Sequence, residues 1–187
     1  MTTRRMFIAA TCIALNLTLA KVANLLALPV YIDSTGTILA AALLPPLVAI
    51  AVGICTSLLG AVVISPFWAA YAGTQVAIAL IAVMCIRLGL FQRWWSAILA
   101  GFVIAITAAI VSAPVTVIVF GGVTVSGTTA INAILMASGR SVWQSVIGGS
   151  LLIESIDKPA ASLLAWLALR QLPASVVSPE NVRAEAT

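Results

Sequence analysis

"STGTILAAALLPPLVAIAVGICTSLLGAVVI", residues 34–64, is an apolar stretch interrupted only by the pair Pro45-Pro46. As a single helix it would be about 46 Å long at 1.5 Å per residue, well over the ~30 Å hydrocarbon core of a bilayer. Two prolines in a row remove backbone donors and clash with the preceding turn, so a helix is expected to break or bend sharply there. Whether this stretch crosses a membrane once or twice sets the threading of everything after it.

Composition establishes the setting. The chain has 187 residues, 63% of them hydrophobic and 7% charged, whereas a soluble domain is about 25% charged. A water-exposed surface cannot be built from this, and the class expected is an all-α integral membrane protein. Further apolar segments lie at roughly 6–28, 70–88, 95–120 and 150–172. Each is near or above the ~20 residues a spanning helix requires. With Arg4 and Arg5 on the cytoplasmic side, two crossings by 34–64 place both "RLGLFQRW" (87–94) and "LRQLP" (169–173) on that side as well, as the positive-inside rule prefers. The expectation is six transmembrane helices with both termini cytoplasmic. The second, about 34–44, is too short to cross by itself and has to be shielded by protein. Residues 1–173 form one membrane domain, and 174–187 are a polar tail expected to be disordered.

Several function classes lose support at this stage. There is no GxxxxGK[ST] phosphate loop and no room for a soluble catalytic domain, so ATP, if used, is hydrolysed by a partner. The net charge of +4 sits largely beside apolar segments, at Arg4, Arg5, Arg87, Arg93 and Arg170, with Arg183 in the tail. It reads as membrane flanks and not as a nucleic-acid patch. Cys12, Cys55 and Cys85 lie in apolar runs without CxxC spacing, and there is no histidine, which disfavours a disulfide or a metal site. The basic start followed by an apolar run raises a signal peptide, but the run continues to Leu28 and reads as a retained first span. No internal repeat supports an inverted-repeat transporter. Enzymatic acid–base work lacks a nucleophile motif, and no enzyme is expected.

The last apolar segment, "SLLIESIDKPAASLLAWLALRQLP" (150–173), holds Glu154, Asp157 and Lys158 in a chain with fourteen formal charges. Starting a helix after Pro159 would leave only about 21 Å, so the expected helix starts near Leu151 and kinks at Pro159. Spacings of three and four residues put the three charges on one face. Facing lipid they would cost several kcal/mol each, so they belong against protein or in a wet cavity. Two readings stay open. One is a Glu154–Lys158 ion pair holding the bundle together, with Asp157 among the headgroups. The other is a polar ligand pocket in the outer half of the bundle.

Other polar and aromatic residues reach the same level. Asp33 opens the short second span beside Tyr31; Ser65, Trp68, Tyr71 and Gln75 surround the entrance to the fourth; Lys21 and Asn24 lie in the outer half of the first. The Gly-, Ser- and Thr-rich stretch 120–150, with Asn132, Arg140 and Gln144, is expected to be an outer binding loop. Ala10 and Ala14 form an A-x-x-x-A pair that lets another helix approach closely.

"LPVYIDSTGTILAAALLPPLVAIAVGICTSLLGAVV" (28–63) and "ESIDKPAASLLAWLALRQLP" (154–173) resemble the substrate-binding S component of energy-coupling factor (ECF) vitamin transporters. The resemblance covers about residues 6–173 and rests on layout and local texture. It implies six helices in a bacterial or archaeal cell membrane, and a vitamin-sized ligand held near the outer face by the outer loops and the outer ends of spans four to six. Glu154, Asp157 and Lys158 would then face the substrate. It further implies docking through small residues of the first span, here Ala10 and Ala14, onto a membrane scaffold subunit driven by two ATPase subunits. Transport would proceed by toppling of the S component. The nickel and cobalt members coordinate metal through an N-terminal histidine, which this chain lacks. A small membrane scaffold of related fold and a free-standing secondary transporter are the alternatives.

Overall fold

The computed structural model describes residues 3–26, 28, 30–122 and 128–173, so the polar tail lies outside the described residues. All regular structure among the described residues is helical. The order is α1 (Thr3–Leu25), α2 (Thr35–Leu43), α3 (Pro46–Val63), a 3-10 turn at Pro66–Tyr71 leading into α4 (Ala72–Arg87), α5 (Trp94–Phe120), α6 (Thr128–Ala137) and α7 (Val142–Gln171).

The prolyl pair divides the 34–64 stretch as expected. Leu44 is extended, with ψ 158°, as the residue before a proline tends to be, and Pro46 occupies the first turn of α3, where its missing N–H costs nothing. The nine residues of α2 span only about 13 Å. Eight of them are buried, and α2 packs against α1, α3, α4 and α7. A helix that is apolar all round belongs in the interior, and here it is the centre of the bundle. Ile38, Leu39, Leu43 and Leu44 join Cys12, Val52, Ile78 and Val83 in the main apolar core.

Four helical segments are long and apolar enough to cross a membrane: α1, α3, the 3-10 turn with α4, and α5. The chain is thus a multi-pass, all-helical protein with a short second helix. Large apolar side chains such as Phe7, Val62, Phe102, Ile106 and Ile118 face outward, the arrangement a lipid solvent favours. α7 is longer than any of the four but carries Glu154, Asp157, Lys158 and Arg170.

Residues 120–150 are not one loop. They contain α6 and the first two turns of α7, which begins at Val142 and not near Leu151. The cause is local. Ser141 and Gln144 form a reciprocal capping box, Gln144 N donating to Ser141 Oγ (3.3 Å) and Ser141 N to Gln144 Oε1 (3.2 Å), which satisfies two otherwise orphaned groups. Gly121 and Gly139, both at positive φ, end α5 and α6.

α5 and α7 form the most extensive helix pair. Ala97, Ala100, Gly101, Ala105 and Ala108 of α5 make a small-residue seam that lets the backbones close up. At Gly101 a side chain has no room: a Cβ there would lie 2.7 Å from Pro159 N and 2.9 Å from Lys158 O. Both obstacles are backbone. Gly101→Ala is therefore expected to cost about 1–3 kcal/mol through overpacking, read as a lower midpoint of thermal unfolding in detergent. Gly73→Ala, where nothing lies within 4 Å, is expected to leave the midpoint unchanged or raise it. Equal midpoints for Gly101→Ala and wild type would show that the crossing is looser than described.

Candidate functional site

The charged residues of α7 converge with Asp33. Lys158 Nζ lies 3.1 Å from Glu154 Oε2 and 3.4 Å from Asp33 Oδ1, and it donates a short hydrogen bond to Asp157 Oδ2. The Lys158 side chain is 2% exposed and that of Asp157 0%. One helical face accounts for the α7 members, since residues 154 and 158 are one turn apart. Asp33 arrives from the connection between α1 and α2, because α2 is packed against α7.

That connection is tied down by Asp157. Its Oδ1 accepts hydrogen bonds from Tyr31 N (2.8 Å) and Ile32 N (2.6 Å). Ile32 has φ 49°, a left-handed conformation that is costly for a β-branched residue. The bend brings successive N–H groups onto one oxygen, forming a small anion-binding nest for the carboxylate. The Tyr31 ring lies over the ammonium group, its centroid 5.8 Å from Lys158 Nζ.

From Asp33 a hydrogen-bond chain runs across the bundle. Gln75 Nε2 of α4 donates to Asp33 Oδ2 (3.2 Å), and Thr37 Oγ1 of α2 donates to Gln75 Oε1 (3.1 Å). Asn16 Nδ2 of α1 donates to Thr37 Oγ1 (2.9 Å) and to Thr56 Oγ1 of α3 (3.1 Å), and Asn16 Oδ1 accepts from Gly36 N (2.6 Å). Gly36 is required here, because a Cβ would stand 2.9 Å from Asn16 Oδ1 and 2.8 Å from Cys12 C. Five helices and one connection are thereby joined through buried polar groups.

Of the candidate binding residues Glu154, Asp157, Lys158, Asp33, Tyr31, Gln75, Trp68, Tyr71, Asn132 and Arg140, the first six meet here. Asp157 is fully buried, which corrects its placement among headgroups in the ion-pair reading. The other four have no described contact with the charged set. Trp68 packs its ring over Gly60 of α3. Tyr71, four residues before Gln75, is 2.9 Å from Thr116 Oγ1 through its hydroxyl and stacks near Phe120. Asn132 of α6 donates to Gly122 O (3.3 Å) and fills the space above Gly149. Arg140 is exposed in the turn before α7. Lys21 and Asn24 point outward, and Ala10 and Ala14 lie on the exposed face of α1.

Asn16, Thr37 and Thr56 were not singled out by sequence. Asn16 carried a usable signal, as a lone amide in the middle of an apolar run is costly unless partnered. Among the described residues no group of cysteine, aspartate and glutamate is disposed to hold a metal ion.

Removing this ammonium strands two buried carboxylates and a third that is partly buried, so Lys158→Met is expected to destabilise the protein by about 3–5 kcal/mol. Asn16→Leu keeps similar bulk but orphans Gly36 N and takes a donor from Thr37 and Thr56, at about 1–3 kcal/mol. Thermal unfolding monitored by size-exclusion recovery measures both. A Lys158→Met variant as stable as wild type would mean that the carboxylates are not held as charges.

No family model, characterised protein or solved structure matches the chain, so its function rests on the chemistry of its own residues.

Proposed function

We propose that the protein is the substrate-binding S component of an ECF-type importer, taking up a small water-soluble vitamin or precursor in a bacterial or archaeal cell membrane. The observation that carries this reading is the convergence of Asp33, Glu154, Asp157 and Lys158 beside the N-terminal end of α2, beneath the α1–α2 connection. Charges are expensive inside an apolar bundle and mark binding or ion pathways when they occur there. In this reading α2 and α7 complete six crossings, both termini are cytoplasmic, and the charged cluster lies toward the outer face. Ligand walls would come from Tyr31, Tyr71 and Trp68, with Asn132 and Arg140 contributed from the α6 region.

The chain has no ATP-binding loop, so the energy would come from a membrane scaffold subunit and two ATPase subunits. The exposed Ala10 and Ala14 of α1 offer a small-residue face for that docking. A structural role is the second reading, in a small membrane scaffold. It is favoured by the closure of the Asn16–Thr37–Thr56–Gln75 chain, which ties helices together without any ligand.

Mass spectrometry of small molecules released from gently purified protein separates the two. A vitamin-like solute near one per chain is the expected result, and an empty protein that also ignores a vitamin panel in thermal shift sinks the binding reading. Ala10→Trp is expected to abolish co-purification with the scaffold and ATPase subunits while leaving solute occupancy intact. Assembly that survives this bulk would move the docking face elsewhere.

A further inference from the structure

The charged cluster is not balanced. Asp33, Glu154 and Asp157 surround a single ammonium, three formal negative charges against one positive. They do so in the interior of a bundle whose outer surface is apolar. The three carboxylates are also unequally served. Asp157 receives two backbone N–H groups as well as Lys158. Asp33 receives Gln75 in addition to Lys158. Glu154 has the ammonium alone: its buried Oε2 is 3.1 Å from Nζ and has no other polar partner among the described residues.

A second set of groups, on residues adjacent in sequence or one helical turn from the cluster, is independently unfilled. Ser34 and Thr35 follow Asp33 directly, Thr74 precedes Gln75, and Ser162 lies one turn beyond Lys158 on the same side of α7. All four hydroxyl oxygens are buried without a hydrogen-bond partner among the described residues, and Ser34 and Ser162 are 0% exposed. Buried hydroxyls of this kind call for a partner. The Tyr31 ring already faces a cation on the same side. The carboxylates enclose an ammonium group and are not disposed as metal ligands, which favours an organic cation over a metal ion. Asp33, with 19% of its side chain exposed, is the most accessible member and marks the approach.

We infer that the substrate is a small organic cation bearing N–H donors, an alkylammonium, amidinium or guanidinium, held by Glu154 and Asp33 with the Ser34 and Ser162 hydroxyls and covered by Tyr31. This inference rests on the binding-component reading above and names its substrate class. N–H donors are specified because Glu154 and the free hydroxyls are acceptors that a quaternary ammonium would leave unfilled. An anionic ligand would meet three carboxyl groups around one ammonium, whereas a cationic one has carboxyl groups to pair with.

The test uses the full chain in detergent, with thermal unfolding and calorimetric titration against benzylammonium and benzamidinium. Benzyl alcohol, benzamide and benzoate serve as neutral and anionic isosteres, and sodium chloride as the ionic control. Both cations are expected to raise the unfolding midpoint with concentration, as ligands of the native state do, while the other probes have no effect. Glu154→Gln is expected to weaken cation binding at least tenfold, about 1.4 kcal/mol. Ser162→Ala leaves the charges untouched and is expected to weaken it severalfold, which keeps the test decisive if Glu154→Gln fails to fold. Shifts of equal size from benzoate, a neutral isostere or sodium chloride overturn the inference. So does the absence of any shift at millimolar cation, or cation binding that neither substitution changes. A neutral or anionic solute released from the purified protein would leave the binding component standing and overturn only the substrate class. No solute and no probe response together would overturn both.

Discussion

One ammonium group organises this bundle. Lys158 is almost completely buried in a protein whose outward surface is largely hydrocarbon, and neither lipid nor distant water can solvate it there. It is held by carboxylates from its own helix and by Asp33 from the opposite end of the sequence. Removing one partner of such a set is far more costly than the net worth of the set itself, because a bare charge is left inside. The positions of α7, α2 and the connection between α1 and α2 therefore depend on one another. None can shift far without exposing a charge to an apolar neighbour.

The short second helix follows from the same constraint. A full-length helix after Asp33 would have to share the bundle interior with α7 along its whole height. At nine residues, α2 ends at Leu44 and the prolyl pair sends the chain back as α3. Its burial on almost every side relieves the problem of a helix too short to cross, since its ends are covered by protein. The strained Ile32 belongs to this arrangement too. A backbone outlier of that kind costs about 1–3 kcal/mol and persists only where its surroundings over-determine it. Here the two N–H bonds to Asp157 do so.

Much of this was legible in the sequence because it rests on local chemistry. Pro45-Pro46 announced the break between α2 and α3, and the spacing of Glu154, Asp157 and Lys158 announced a shared face. The region 120–150 was misread because its Gly, Ser and Thr content resembles a loop. The Ser141–Gln144 capping pair that starts α7 is a local cue embedded in that loop-like composition. Asn16 went unnoticed because its partners are 21 and 40 residues away. Thr37 and Thr56 look, in sequence, no different from Thr11 and Thr107, whose hydroxyls return to the carbonyl four residues back in their own helices. Only packing tells the two kinds apart.

The two halves of the polar network differ in a way that bears on function. The neutral half is complete: Asn16 spends both donors of its amide and its carbonyl oxygen, and it joins α1, α2 and α3 without remainder. A structural role accounts for all of it. The charged half leaves three carboxyl groups around one ammonium, a glutamate served by that ammonium alone and, among the described residues, several buried hydroxyls without partners. If fastening helices were its sole purpose, one carboxylate opposite Lys158 would be enough, and the extra two raise the cost of burial. Departures from local consistency of this sort are expected where a protein gives up stability for function. The imbalance lies on the side of the bundle where the α1–α2 connection crosses over α7, next to the partly exposed Asp33, and that is where an incoming ligand could supply the missing charge.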